Sequence, residues 1–180
     1  MTSPTFELWL GQLLQQSSYS VRTLLNDPTA LHFLIAWSLF EAKCFKGEFG
    51  AQKLLGATAP MASPPGDSAA ELLTAARHFH ARYQNQSLSA GLAPPDKVPK
   101  SVQARWNEIL VKVFDELGTE DIVFLNAFVA SRFRNNMFHG VKGIDDWLQY
   151  RTEIEHCTSV LQVFVTWAEQ ANPTFTLQAA

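Results

Sequence analysis

Apolar positions recur at helical spacing along almost the whole chain. Phe6, Trp9, Leu10, Leu13, Leu14, Val21, Leu24 and Leu25 follow steps of three and four, which predicts one amphipathic helix over residues 5 to 25, beginning after Ser3-Pro4. Asn26-Asp27-Pro28 ends it and opens the next, because Asp caps a helix start and Pro suits the first turn. The second helix, about residues 28 to 46, contains LHFLIAWSLFEAKCF. It is apolar on most sides, which predicts a place in the middle of a bundle with neighbours all round.

Polar, Pro-rich and Gly-rich stretches divide the rest. Loops are predicted near residues 47–67 and 88–100, the first ending in GATAPMASPPGDS and the second holding GLAPPDKVP; their prolines deny both helix and strand. Between them Asp67 or Ser68 caps a third helix with Leu72, Leu73, Ala76, Phe79 and Tyr83 inward. Val102, Trp106, Ile109, Leu110, Val113, Phe114 and Leu117 mark a fourth helix, which Gly118 closes. Thr119 then heads a fifth as its cap, with acids in the first turn and Ile122, Leu125, Val129 and Phe133 inward. The last helix, about 144 to 171, carries Trp147, Tyr150, Ile154, Cys157, Leu161, Phe164 and Ala168. That seam suits an antiparallel neighbour or a second subunit. With no β-alternation and no internal repeat, the expectation is one all-α domain over 1–180, a helical bundle of about six helices.

Composition changes this picture only at its edges. Apolar residues make up 47% of 180, with thirteen Phe and five Trp, enough for a sizeable core. A formal net charge of -3 means that any nucleic-acid contact has to come from a local basic cluster. Cys44 and Cys157 stand in apolar helical patterns without metal-ligand spacing, as buried free thiols of a reducing compartment do. No leader pattern and no apolar run of about 20 residues occur. The expectation is a soluble cytoplasmic protein with no membrane partner.

The chemistry concentrates in RFRNNMFHG, residues 132 to 140. An arginine followed by a histidine five positions later is a weak pattern, since RTEIEH at 151 to 156 has the same spacing. Mid-helix, Arg151 and His156 stand about 140° apart and cannot converge. Around Arg134 and His139, however, Asn135, Asn136 and Gly140 favour a helix terminus, and Lys142-Gly143 prolong the break. Once the helix stops near Met137 or Phe138, His139 can swing back toward Arg134. Arg134 shares a stripe with the small residues Val123, Ala127 and Ala130, within about 40° on the helical wheel. A guanidinium there needs an anion or a carboxylate. Glu41, the acid of the apolar second helix, is the internal candidate for that partner. The plainer reading is that these residues only cap and solvate a helix end.

RNNMFHG before a long final helix resembles the R-x4-6-H motif of the HEPN superfamily, α-helical domains of prokaryotic toxins and defence ribonucleases. AWSLFEAKCF, with Glu41 in an early core helix, is similar to the same family's bundle. The likeness covers most of the chain in pattern and about ten residues in motif. It implies a helical bundle that dimerises and cuts RNA without metal or other cofactor, with Arg134 and His139 catalytic, Asn135 assisting and Glu41 supporting. Arg132 also satisfies the loose motif, but Phe133 follows it, whereas the polar Asn135 follows Arg134. In one toxin branch a tyrosine two residues after the histidine is modified by an antitoxin; here Val141 stands there, so that control is not implied.

The chemistry is coherent on its own terms. RNA supplies its own nucleophile, the 2′-OH, so a cutter needs a proton acceptor or donor near neutral pKa and cationic donors for the phosphate. His139 fits the first role and Arg134 the second. Arg132 and Lys142 add local positive charge for RNA, and a homodimer would double it. The expectation is a metal-independent endoribonuclease acting as a toxin or phage-defence effector, with RNA as substrate and an antitoxin or defence-system protein as partner. The alternative is a non-catalytic HEPN-like module that binds nucleotide, RNA or a protein.

Other polar residues read as structural. His78 and His80, two apart on different faces, make no metal pair and are expected to be solvated or capping. His32 is expected to be structural, GEFGAQKLLG lacks phosphate-loop spacing, and Asp145, Asp146, Glu153 and Glu155 are expected to be exposed helix acids.

Overall fold

A computed structural model describes residues 5–57, 68–84, 92, 97–138 and 149–171. They form α1 (Phe6–Leu14), α2 (Ser18–Asn26), α3 (Thr29–Phe45) and a 3-10 turn at Ala51–Lys53 that runs into α4 (Leu54–Ala57). After these come α5 (Ser68–Tyr83), α6 (Lys100–Val111), a 3-10 turn at Phe114–Glu116, α7 (Thr119–Phe138) and α8 (Arg151–Ala171). No strand occurs among the described residues, and the fold is an all-α bundle.

The first predicted helix is two helices. Gln15 adopts a left-handed conformation with φ 54°, and the Gln16 N–H reaches the Gly11 carbonyl at 3.0 Å, a closure that satisfies an orphan carbonyl of the last turn. Ser17 then caps α2, its hydroxyl accepting from the Ser20 N–H at 3.2 Å. The apolar rhythm continues through the break because α1 and α2 fold against each other, burying Leu10 and Val21.

The centre of the bundle is α7, not α3. Every residue from Asp121 to Phe133 is buried, with α4, α5, α6 and α8 packed around the helix. The expectation for α3 is half right. Phe33, Ala36, Trp37, Phe40 and Phe45 are buried, mainly against α8. Leu31, Ile35 and Leu39, one turn apart, remain 59%, 52% and 41% exposed. Hydrophobicity on all sides was therefore a poor guide to enclosure.

The ends of α7 need polar partners, because a buried helix terminus leaves backbone groups without water. Thr119 is the first helical residue rather than the cap. Asp121 performs the capping, accepting from the Gly118 N–H at 3.2 Å, as the acid of a capping box does. Its carboxylate also pairs with Lys112 at 3.1 Å and with Arg105. Those pairings draw Lys112 out of the helical line. The fourth helix ends at Val111 instead of Gly118, Lys112 is extended with ψ 152°, and Val113 is exposed. Leu73, expected inward, is likewise exposed on α5.

The described part of α8 buries Ile154, Cys157, Leu161 and Phe164 of the predicted seam, together with Val160 and Val163. The seam is occupied within the chain by α3, α5 and α7. Trp147 and the start of the predicted last helix lie outside the described residues. Both cysteines are free; burial pushes the Cys44 thiol up to about 12 and that of Cys157 well above its ordinary value. No described helix is long and apolar enough to cross a membrane.

Asp27 starts α3 by accepting from the Thr29 N–H at 2.9 Å. Bonding from the Thr29 side chain holds its carboxyl below the usual value; burial opposes this, while the Thr29 N–H and the Arg151 charge assist. A carboxylate with a depressed folded pKa contributes stability above its unfolded value near 4, and that contribution is lost as pH falls through the folded value. Acid titration of unfolding should thus lose part of its slope below about pH 4 in Asp27→Asn; an unchanged slope would exclude this linkage. Asp121→Ala leaves Arg105 and Lys112 facing an empty site and should cost about 3 kcal/mol in urea unfolding. Ser17→Ala, losing one exposed cap, should cost about 1 kcal/mol.

Candidate functional site

Toward its C-terminal end α7 emerges from the core, and its polar residues divide between two sides. Arg134 is half-buried. Its Nη1 donates to the Asn135 Oδ1 at 3.0 Å, and its guanidinium lies over the Trp37 ring, 5.9 Å from the centroid. Trp37 belongs to the buried face of α3, so α3 is the helix this arginine meets. Glu41 stands one turn further along α3, and its carboxylate accepts from the Phe49 N–H at 3.4 Å. Phe49 in turn packs edge-on against Trp37 at 4.9 Å. Val123, Ala127 and Ala130, the small-residue stripe below Arg134, are fully buried.

Two residues along a helix turn a side chain about 200°, and Arg132 accordingly faces elsewhere. It is buried, and its Nε donates to the Leu92 carbonyl at 3.3 Å. Asn136, one turn later on the same side, donates Nδ2 to that carbonyl at 3.1 Å. Burial pulls the Arg132 pKa below its ordinary value. The two candidate motif arginines thus have different surroundings, one on an aromatic face and one on a backbone carbonyl. His139 and Lys142 lie outside the described residues, as do Gly140 and Val141.

A second polar cluster between α5 and α8 escaped the sequence reading. Glu153, expected to be an exposed acid, is 5% exposed. Its carboxylate pairs with Arg82 at 2.6 Å and stands 3.6 Å from the His78 Nε2. The His78 and His156 rings lie 4.6 Å apart. Burial first, and then His78, lowers the His156 pKa against the pull of Glu153, Glu155 and Glu71. Arg82 also lies over Tyr150, which packs edge-on against Phe133 at 6.0 Å. His80 is buried against Phe114. His80 is therefore not the solvated or capping residue expected, whereas His78 keeps 30% of its side chain exposed while facing Glu153 and His156. The available signal was complementary spacing, His78 and Arg82 four apart on α5 with Glu153 and His156 three apart on α8.

RTEIEH behaves as helix geometry requires. Arg151 turns to Asp27 at 3.4 Å and to Glu155 at 3.0 Å, while His156 turns to His78. Among the described residues no group of three His, Cys, Asp or Glu side chains could hold a metal ion. Comparison with protein-family profiles, with curated proteins and with solved structures finds no match for this chain.

Proposed function

We propose that the protein is a metal-independent endoribonuclease that cleaves RNA through attack of the 2′-OH on the adjacent phosphate. The observation that carries this reading is the setting of Arg134. It is half-buried near the end of a buried helix, and its guanidinium donates to the Asn135 side-chain amide oxygen and lies over the Trp37 face. A guanidinium oriented in this way suits charge that develops on a pentavalent phosphate. Arg132 is bonded to Leu92 about 200° round the helix, which favours Arg134 as the motif arginine.

In this reading His139 takes the 2′-OH proton, and the 2′ oxygen attacks phosphorus. The P–O5′ bond breaks, the leaving 5′ oxygen takes a proton from water, the proton on His139 returns to solvent, and a 2′,3′-cyclic phosphate and a 5′-OH result. Arg134 stabilises the phosphoryl oxygens, Asn135 orients Arg134, Glu41 supports that corner of α3, and Lys142 contributes charge for RNA. DNA lacks the nucleophile and is not a substrate. The chain acts as a homodimer that unites two such sites, in a toxin or phage-defence setting with a silencing or triggering partner protein.

RNA cleavage by the purified protein should survive EDTA and leave cyclic phosphate ends. His139→Ala should lower the rate by about 10²-fold or more, and Arg134→Ala by about 10²-fold, with thermal unfolding unchanged in outline. Full activity in His139→Ala would overturn the assignment. RNA binding without product under any salt or partner condition would replace it with a non-catalytic RNA-binding module.

A further inference from the structure

Arg132 is a cation in a costly place. It is 7% exposed, and its described hydrogen bond goes from Nε to the Leu92 carbonyl. Among the described residues no carboxylate stands against it, and burial alone accounts for its lowered pKa. Other arginines of the chain do have acids: Arg77 has Asp115, Arg82 has Glu153, Arg105 has Asp121, and Arg151 has Asp27 and Glu155. A cation largely withdrawn from water and without a counter-charge gains from an anion that reaches it. The guanidinium carries five N–H donors in a planar fork. One is used on Leu92; among the described residues nothing accepts from the four Nη hydrogens, and neither Nη atom is among the buried side-chain atoms left without a partner, so the open edge of the fork reaches solvent, where a ligand can meet it.

The local geometry holds this fork in place. Arg132 and Asn136 are one turn apart on α7 and converge on one carbonyl, at 3.3 Å and 3.1 Å. Two donors occupy both lone pairs of the Leu92 oxygen. The arginine is thereby fixed by its Nε edge, the arrangement that presents Nη donors to a planar or tetrahedral oxyanion.

We propose that Arg132, positioned by Asn136 and the Leu92 carbonyl, receives a phosphate group at a site separate from Arg134. The choice of phosphate over carboxylate rests on the ribonuclease reading, in which the ligand is a flanking backbone phosphate rather than the one attacked. A free phosphate or a nucleotide phosphate offers the same oxygens. Arg132 is then a binding residue and takes no part in bond cleavage.

The test uses the full chain. Inorganic phosphate, compared with chloride at equal ionic strength, should raise the melting temperature, and the shift should persist in Arg134→Gln and vanish in Arg132→Gln. Arg132→Lys keeps the charge without the fork and should show a smaller shift, which guards against loss of folding in the glutamine variant. In the native chain the Arg132 Nε–H resonance should move saturably with phosphate. No phosphate-specific shift, or an equal shift in Arg132→Gln, would overturn the proposal.

A 2′-O-methyl RNA, whose nucleophile is blocked, and a nucleoside 5′-monophosphate separate the sources. Displacement of phosphate by the RNA assigns the site to backbone, and displacement by the mononucleotide alone assigns it to an effector. A phosphate shift in a protein that cuts no RNA would reject the ribonuclease reading and keep the Arg132 site. Cleavage without the shift would do the reverse.

Discussion

The burial of the middle of α7 is the constraint on which the rest of the structure depends. Thirteen consecutive residues, Asp121 to Phe133, have no outward face. The helix therefore needs apolar neighbours in every direction and polar closure at both ends. Helices α4, α5, α6 and α8 supply the neighbours. At the start Asp121 supplies the closure, and its charge is balanced by Arg105 and Lys112. Toward the other end Arg132 and Asn136 hold the Leu92 carbonyl against the helix. The bundle is organised round a helix whose middle, about three to four turns, water does not reach.

The candidate site follows from where that burial stops. Small residues at 123, 127 and 130 allow close packing below Arg134, and the guanidinium comes to lie on Trp37 of α3. Between Arg132 and Arg134 the helix turns about 200°, which sends one arginine to a loop carbonyl and the other to an aromatic face. A buried helix gives both side chains an anchored base, so each guanidinium is held toward its own partner.

Charge placement elsewhere follows the same rule of paired burial. Glu153 enters the α5–α8 interface because Arg82 neutralises it, with His78 at its edge. The His78 and His156 rings then meet, tilted by 35°, across the same interface. Taken separately, α5 shows a histidine and an arginine four apart and α8 an acid and a histidine three apart, an ordinary pattern in each. Their burial is decided by the partner helix, so neither stretch could reveal it separately.

Local sequence determined the all-α class, the limits of α3, most of the inward face of α5 and the divergence of Arg151 from His156. Each of these depends on side-chain periodicity or capping within a few residues. The same periodicity ran through the break at Gln15 because two helices folded on each other keep one apolar face. It overstated the enclosure of α3, where Leu31, Ile35 and Leu39 stay exposed. It also carried the fourth helix past Val111, where Lys112 leaves for Asp121. At the site, RFRNNMFHG marked the place and the residue types. Only the tertiary structure decided that Arg132 faces Leu92, that Arg134 faces Trp37 and that Glu153 is buried. The physical reason is that a sequence specifies which groups a face presents, whereas burial and pairing depend on what another segment brings against it.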